Sequence, residues 1–184
     1  MKRAAPARCA VMPRMRPKPS GVLEAVLARR PAEPLHCLRP AVFAEAARRF
    51  VAGFPGEVLY AVKCNPQEAV LKALRTGGIR RFDAASLPEV QLINRLFPHD
   101  SVHFMHPVKP RSAIRAAFHQ HGVRDFALDS SEELAKILAE TQAAGGLGLL
   151  VRLALPAGGA ARWDLSGKFG AQPAQAAALL RAAR

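Results

Sequence analysis

Lys63 closes the apolar run Val58-Leu59-Tyr60-Ala61-Val62, at a position where a lysine would be partly withdrawn from water. Desolvation favours the neutral amine over the ammonium, and a neutral amine can attack a carbonyl carbon to form a Schiff base. The same position also suits a lysine that snorkels from a strand end into solvent, so residue type alone leaves both readings open. Asp83, His106, Asp129 and Arg152 follow apolar runs in the same manner. A polar or charged side chain at or near the end of every run is the pattern expected where chemistry collects at the carboxyl ends of parallel strands.

The runs that would position these residues are Val58–Val62, Ile79–Phe82, Val102–Met105, Asp125–Leu128 and Leu147–Val151, with starts about 22 residues apart. Between them lie segments of helical spacing, such as Val70, Ala73 and Leu74, then Val90, Ile93 and Asn94, then Leu134, Ile137 and Leu138. Asn65-Pro66-Gln67-Glu68 predicts a helix capped by Asn65, with proline at its first position. Ser86-Leu87-Pro88-Glu89 and Ser130-Ser131-Glu132-Glu133 fit the capping box, which gives Glu68, Glu89 and Glu133 a structural task rather than a catalytic one. Glycines at 77–78, 122 and 145–146 are placed to end helices in a left-handed conformation.

Short β–α repeats build a parallel open sheet or a (β/α) barrel, because parallel strands need crossover helices. Neither GxGxxG in the first βα turn nor a Walker A motif is present, which withdraws support from nucleotide-binding sheets and leaves the barrel. The expected fold is therefore α/β, a partial TIM-type barrel of about five βα units where a closed barrel has eight.

The formal charge of +13 is unevenly spread. Lys2, Arg3, Arg8, Arg14, Arg16 and Lys18 fall within residues 1–20 together with no acid, so almost half of the excess is a basic, Pro-rich tail, predicted to be disordered. The body interleaves both signs and has one Tyr and one Trp, too few stacking aromatics for an RNA or single-strand platform. Cys9, Cys37 and Cys64 are odd in number and lack CxxC spacing, which argues against a disulfide framework or a zinc site and for a reducing cytoplasm. His99, His103 and His106 have no metal-ligand spacing, and His119 and His121 are expected to face solvent. No apolar stretch is long enough to span a membrane.

Tyr60-Ala61-Val62-Lys63-Cys64-Asn65-Pro66 resembles the cofactor-lysine motif of the pyridoxal-phosphate-dependent ornithine, diaminopimelate and arginine decarboxylase family, whose barrel is alanine-racemase-like. Four further segments resemble family motifs in the family's order: Phe82-Asp83-Ala84-Ala85-Ser86-Leu87-Pro88-Glu89, His106-Pro107-Val108-Lys109, Leu128-Asp129-Ser130-Ser131-Glu132-Glu133-Leu134 and Leu165-Ser166-Gly167-Lys168-Phe169-Gly170. The resemblance implies that Lys63 holds pyridoxal 5'-phosphate as an internal aldimine. It implies that Asp83 is the acidic residue near that linkage and that Arg152 contacts the cofactor near its phenolic oxygen. Lys168 would sit on a mobile loop over the site, for which glycines 158–159 and 167 are suited. The implied activity is decarboxylation of a basic amino acid, ornithine foremost, on the way to polyamines, by an enzyme that is a homodimer when full-length.

Two departures are His106, where the family usually has Asn, and Cys37-Leu38-Arg39-Pro40, where many bacterial relatives carry an acidic residue. The family's ring-stacking histidine, Gly-rich phosphate loop, partner for the pyridine nitrogen and carboxy-terminal β-domain have no counterpart in the 184 residues. The sequence thus predicts an incomplete domain over residues 21–184, inactive alone, with Leu147–Leu155 as an exposed apolar edge. A different class, a catalytically silent decarboxylase-like protein that binds a regulatory partner or a full-length relative, fits the same residues.

Overall fold

The computed structural model describes residues 21–154 and 168–183, and the basic tail predicted over residues 1–20 lies outside them. The chain divides into two compact units, Met1–Leu38 and Arg39–Arg184. In the first, α1 (Val22–Arg29) buries no residue.

The second unit carries α2 (Pro40–Gly53) and then five strands, each followed by a helix: β1 (Leu59–Ala61), α3 (Glu68–Thr76), β2 (Arg81–Ala84), α4 (Leu87–Leu96), β3 (Ser101–Phe104), α5 (Arg111–His121), β4 (Asp125–Leu128), α6 (Ser131–Thr141), β5 (Gly148–Val151) and α7 (Pro173–Ala182). The strands form one sheet in the order β1-β2-β3-β4-β5, with every pair parallel. Strand side chains alternate between the two faces. Phe82, Phe104, Phe126 and Leu128 are buried in one cluster with Leu71, Val90, Ile93, Ile114 and Ile137 of the helices. Asp83 and His103, Cα partners one residue along from these aromatics, belong to the other face.

The ends of the elements depart from expectation where a side chain found a better partner than the nearest backbone. α3 starts at Glu68, because Asn65 Oδ1 accepts from the Gln67 amide at 3.1 Å and holds Asn65–Gln67 extended as a turn. Ser86 makes no side-chain cap, and Glu89 Oε2 accepts from the Ala85 amide at 2.8 Å, one residue before the Ser86 amide that a capping box would use. At α6 the Ser130 hydroxyl accepts from the Glu133 amide at 3.2 Å, while the Glu133 carboxylate turns inward to Lys109 instead of back to the cap. Glu68 is drawn to Lys72 and Arg95. Gly122 ends α5 at φ 67° as predicted, but α6 ends at Gln142, φ 56°, before the glycine pair at 145–146 is reached.

Strand β2 sits two residues later than Ile79–Phe82 suggests. Ile79 instead follows the α3 terminus, where its amide donates to the Leu74 carbonyl at 3.2 Å and its side chain is buried. Beyond β5 the described residues make one parallel bridge, Leu153 to Ala171, and Leu150 and Leu153 stay exposed along that edge as expected. No described helix is long and apolar enough to cross a membrane. Cys37 and Cys64 are free and exposed, and the described residues contain no cluster able to hold a metal ion.

Candidate cofactor site

The carboxyl ends of the strands carry the residues singled out from the sequence. Lys63 lies two residues beyond β1 in a 3-10 turn over Val62–Cys64, Asp83 is the third residue of β2, His106 is two residues past β3, and Asp129 and Arg152 directly follow β4 and β5.

Lys63 is exposed, which corrects the expectation of a desolvated amine. The strand ends at Ala61, and the tight turn that follows buries Val62 and directs Lys63 into the open. Tyr60 supports this turn, with its hydroxyl 3.5 Å from the Asn65 carbonyl. The snorkelling alternative therefore describes the position of the side chain, and it also leaves the amine free to meet a carbonyl compound.

Asp83 is the half-buried partner. Burial holds its carboxyl above the ordinary carboxylate range, Lys63 pulls it down, Glu89 raises it further, and His103 and Arg152 lower it. Lys63, Asp83 and Arg152, from three different strand ends, thus share one electrostatic neighbourhood. Because the folded-state value of Asp83 lies above its unfolded value, the folded chain keeps a proton that the unfolded chain releases across that interval. The stability this proton confers is full at acid pH and is lost as pH rises through the interval. We therefore expect Asp83→Asn to unfold at higher urea than wild type at neutral pH, with the difference shrinking in acid, as read by fluorescence-monitored denaturation.

Phe169, which received no task from the sequence, organises the rest. Its ring centroid lies 5.3 Å from that of His106, 5.3 Å from the Arg152 guanidinium and 5.8 Å from Lys168 Nζ. The segment is tied down beside it: the Gly170 amide donates to Asp129 Oδ2 at 2.9 Å, and the Ala171 amide donates to the Arg152 carbonyl at 2.8 Å. Lys168 is exposed, and the predicted loop glycines 158–159 and 167 lie outside the described residues. His106, one departure from the motif, folds onto its own loop with Nδ1 2.6 Å from the Val108 carbonyl oxygen. Lys109, the last residue of that motif, is buried, its Nζ 2.9 Å from Glu133 Oε1 and donating to the His106 carbonyl at 2.9 Å. His121, expected in solvent, is half-buried against Asn94, whose amide donates to the His121 carbonyl at 2.9 Å.

An exposed primary amine, at strand ends that also carry the Arg152 guanidinium and a carboxyl raised by burial, fits the aldehyde and phenolate side of pyridoxal phosphate. Residues 41–184 match the family model for the pyridoxal binding domain of pyridoxal-dependent decarboxylases. The chain is 36% identical over 126 residues to a chloroplastic ornithine decarboxylase of Nicotiana glauca, covering 68% of this chain and 28% of that protein. It is 35% identical over 128 residues to a lysine/ornithine decarboxylase of Selenomonas ruminantium, covering 69% and 31%. The chain therefore spans about three-tenths of the length of these relatives.

Among solved structures, the arginine decarboxylase of Paramecium bursaria Chlorella virus bound to agmatine superposes with a TM-score of 0.77 at 25% identity, over 88% of this chain and 43% of that one. The lysine decarboxylase of Selenomonas ruminantium gives 0.72 at 31% identity, over 89% and 42%. The parallel five-stranded arrangement is that of the alanine-racemase-like barrel of these enzymes. From its motifs, its sheet and the match over residues 41–184, the chain belongs to the pyridoxal-phosphate-dependent ornithine, lysine and arginine decarboxylases, as part of their pyridoxal binding domain.

Proposed function

We propose that this chain provides the cofactor-lysine part of a site that decarboxylates a basic amino acid, ornithine foremost, in the formation of polyamines. The observation that carries the reading is the grouping of the exposed Lys63 amine with Asp83 and Arg152 at the carboxyl ends of β1, β2 and β5. Related structures hold agmatine, cadaverine or putrescine, all of them amines that decarboxylation of a basic amino acid yields.

Pyridoxal phosphate, when bound, supplies the sink for the electrons of the broken bond to the carboxylate. Lys63 would hold the cofactor through its exposed amine. Asp83, whose carboxyl burial raises, would stand on the same side of the group, and Arg152 would supply positive charge there. Lys168 approaches from the segment that Asp129 anchors. In this reading the groups that grip phosphate, pyridine nitrogen and substrate side chain come from protein beyond these 184 residues, in a homodimeric assembly. A cytoplasmic, reducing setting agrees with the free, exposed thiols of Cys37 and Cys64.

The test is to incubate the chain with pyridoxal phosphate, reduce with borohydride and map the label by peptide mass spectrometry. Label concentrated on Lys63, and lost almost entirely in Lys63→Ala, is the expected result. Label spread over surface lysines at similar yield, or unchanged by the substitution, would overturn it. That outcome would leave a second reading, a silent relative that binds a regulatory protein or a full-length decarboxylase, which the exposed Leu150 and Leu153 of the β5 edge favour.

A further inference from the structure

Phe169 is a large aromatic side chain with no place in the core. It is half-buried, lies outside the hydrophobic cluster of sheet and helices, and stands against His106, Arg152 and Lys168 at the carboxyl ends of the strands. A half-exposed phenylalanine among cations is better explained by what its ring does to them than by the surface it buries.

The backbone leaves the ring little choice of place. Leu153 bridges Ala171 in parallel, the Ala171 amide donates to the Arg152 carbonyl at 2.8 Å, and the Ala154 amide donates to the Ala171 carbonyl at 3.0 Å. The Gly170 amide donates to Asp129 Oδ2 at 2.9 Å. Gly170 has φ 111°, and a Cβ there would stand 2.5 Å from the Ala154 amide nitrogen and 2.6 Å from the Leu153 carbonyl carbon, so only glycine lets the segment lie this close to the chain leaving β5. The segment is thereby held beside the backbone of Arg152, and Phe169 is carried onto the arginine side chain.

His106 is a firm neighbour for the same ring. Its carbonyl accepts from the buried Lys109 Nζ at 2.9 Å, and its Nδ1 lies 2.6 Å from the Val108 carbonyl oxygen. The His106 and Phe169 rings meet at 76° with centroids 5.3 Å apart, the edge-to-face arrangement that aromatic pairs favour. The histidine that stands where the family usually has Asn thus supplies an aromatic contact. Arg152 is fixed through its backbone, its amide donating to the Leu128 carbonyl at 2.9 Å, but its side chain is exposed and has several rotatable bonds. The Phe169 ring, 5.3 Å from the guanidinium carbon, is within the roughly 6 Å reach of a cation–π contact and restrains that freedom.

We propose that Phe169 is a positioning residue for Arg152, braced by His106: the ring holds the guanidinium ready at the strand ends, so that less side-chain freedom is lost when the cofactor binds. The proposal deepens the reading of Arg152 as a cofactor contact and rests on it for its function, whereas the contact itself belongs to the chain without cofactor.

In the cofactor-free chain with labelled arginine, assigned by Arg152→Gln, proton NMR should show the Arg152 δ-methylene protons moved upfield by the Phe169 ring current. That shift should vanish in Phe169→Leu, persist in Phe169→Tyr and shrink in His106→Ala. In a spectrophotometric titration with pyridoxal phosphate, Phe169→Leu should weaken binding about two- to fivefold, the worth of an exposed cation–π contact, while Phe169→Tyr binds as wild type does. The same substitution should have no effect on an Arg152→Gln background, whereas a merely structural role would weaken both backgrounds alike. Arg152 protons at the position of a free arginine in wild type, or a Phe169→Leu penalty that persists in full beside Arg152→Gln, would overturn the proposal. Should Phe169→Leu fail to fold, the wild-type shift and its reduction in His106→Ala decide in its place. Pyridoxal phosphate that leaves Lys63 unlabelled although the Arg152 shift is present would reject the decarboxylase reading, and label on Lys63 with no Arg152 shift would reject the positioning role alone.

Discussion

Replacing Glu133 with Leu should destabilise the domain by about 3–5 kcal/mol, the cost of leaving one member of a buried ion pair without its partner. Both side chains are enclosed, Lys109 at 0% and Glu133 at 3% exposure. Burial already depresses the Lys109 ammonium below the ordinary lysine range, and Glu133 is the main group opposing that shift. Without the carboxylate, Lys109 would retain only neutral acceptors, the carbonyls of His106 and Ala127. Lys109→Met should cost less, because Glu133 keeps Lys136, 2.6 Å away and closer to solvent. The double variant should recover much of the loss, since an apolar pair of similar volume can replace a buried ion pair at little cost. Urea denaturation of the two single variants and the double one measures this. Equal losses in both single variants, added in the double, would mean that the pair is not coupled.

The second large effect is expected at Phe104, which is 1% exposed on β3 between the helices and Phe126, with ring centroids 6.3 Å apart. Phe104→Ala should cost about 3–5 kcal/mol through lost burial and the cavity left in a packed layer. Lys109 Nζ also lies 5.7 Å from the Phe104 ring centroid, so the ring lines the pocket of the ion pair. Its removal should therefore be less than additive with Glu133→Leu. Phe104→Leu, which keeps most of the volume, should lose no more than about half as much. Calorimetric melting of the three proteins would show the ordering, and a Phe104→Ala protein that melts with wild type would contradict the packing described.

Both predictions concern partners that the sequence does not announce. Periodicity locates all five strands because each is a short apolar run between segments of helical spacing, and the strand ends carry Lys63, Asp83 and Arg152. Glu133 reads as a cap because Ser130 stands three residues before it. Lys109, the partner that claims its carboxylate, is 24 residues away and meets it only when α6 packs on β4. His103 and Asp125 likewise lie in runs read simply as strands, and only the parallel register makes them neighbours. Lys63 shows the opposite limit. Its place at a strand end was legible, but its exposure depends on the turn at Val62–Cys64, which hydrophobic pattern does not encode.

The strict β1-β2-β3-β4-β5 order has a consequence for how the domain comes into being. Each strand pairs with the one made just before it, across a single intervening helix, so among the described residues no strand waits for a partner synthesised out of turn. Such a sheet can lengthen one βα unit at a time as the chain leaves the ribosome, amino-terminal units first. At every stage the newest strand is the open edge, and pairing stays local in sequence, which favours quick closure over long searches. Synthesis and assembly can proceed in the same direction, with each finished unit serving as the template for the next.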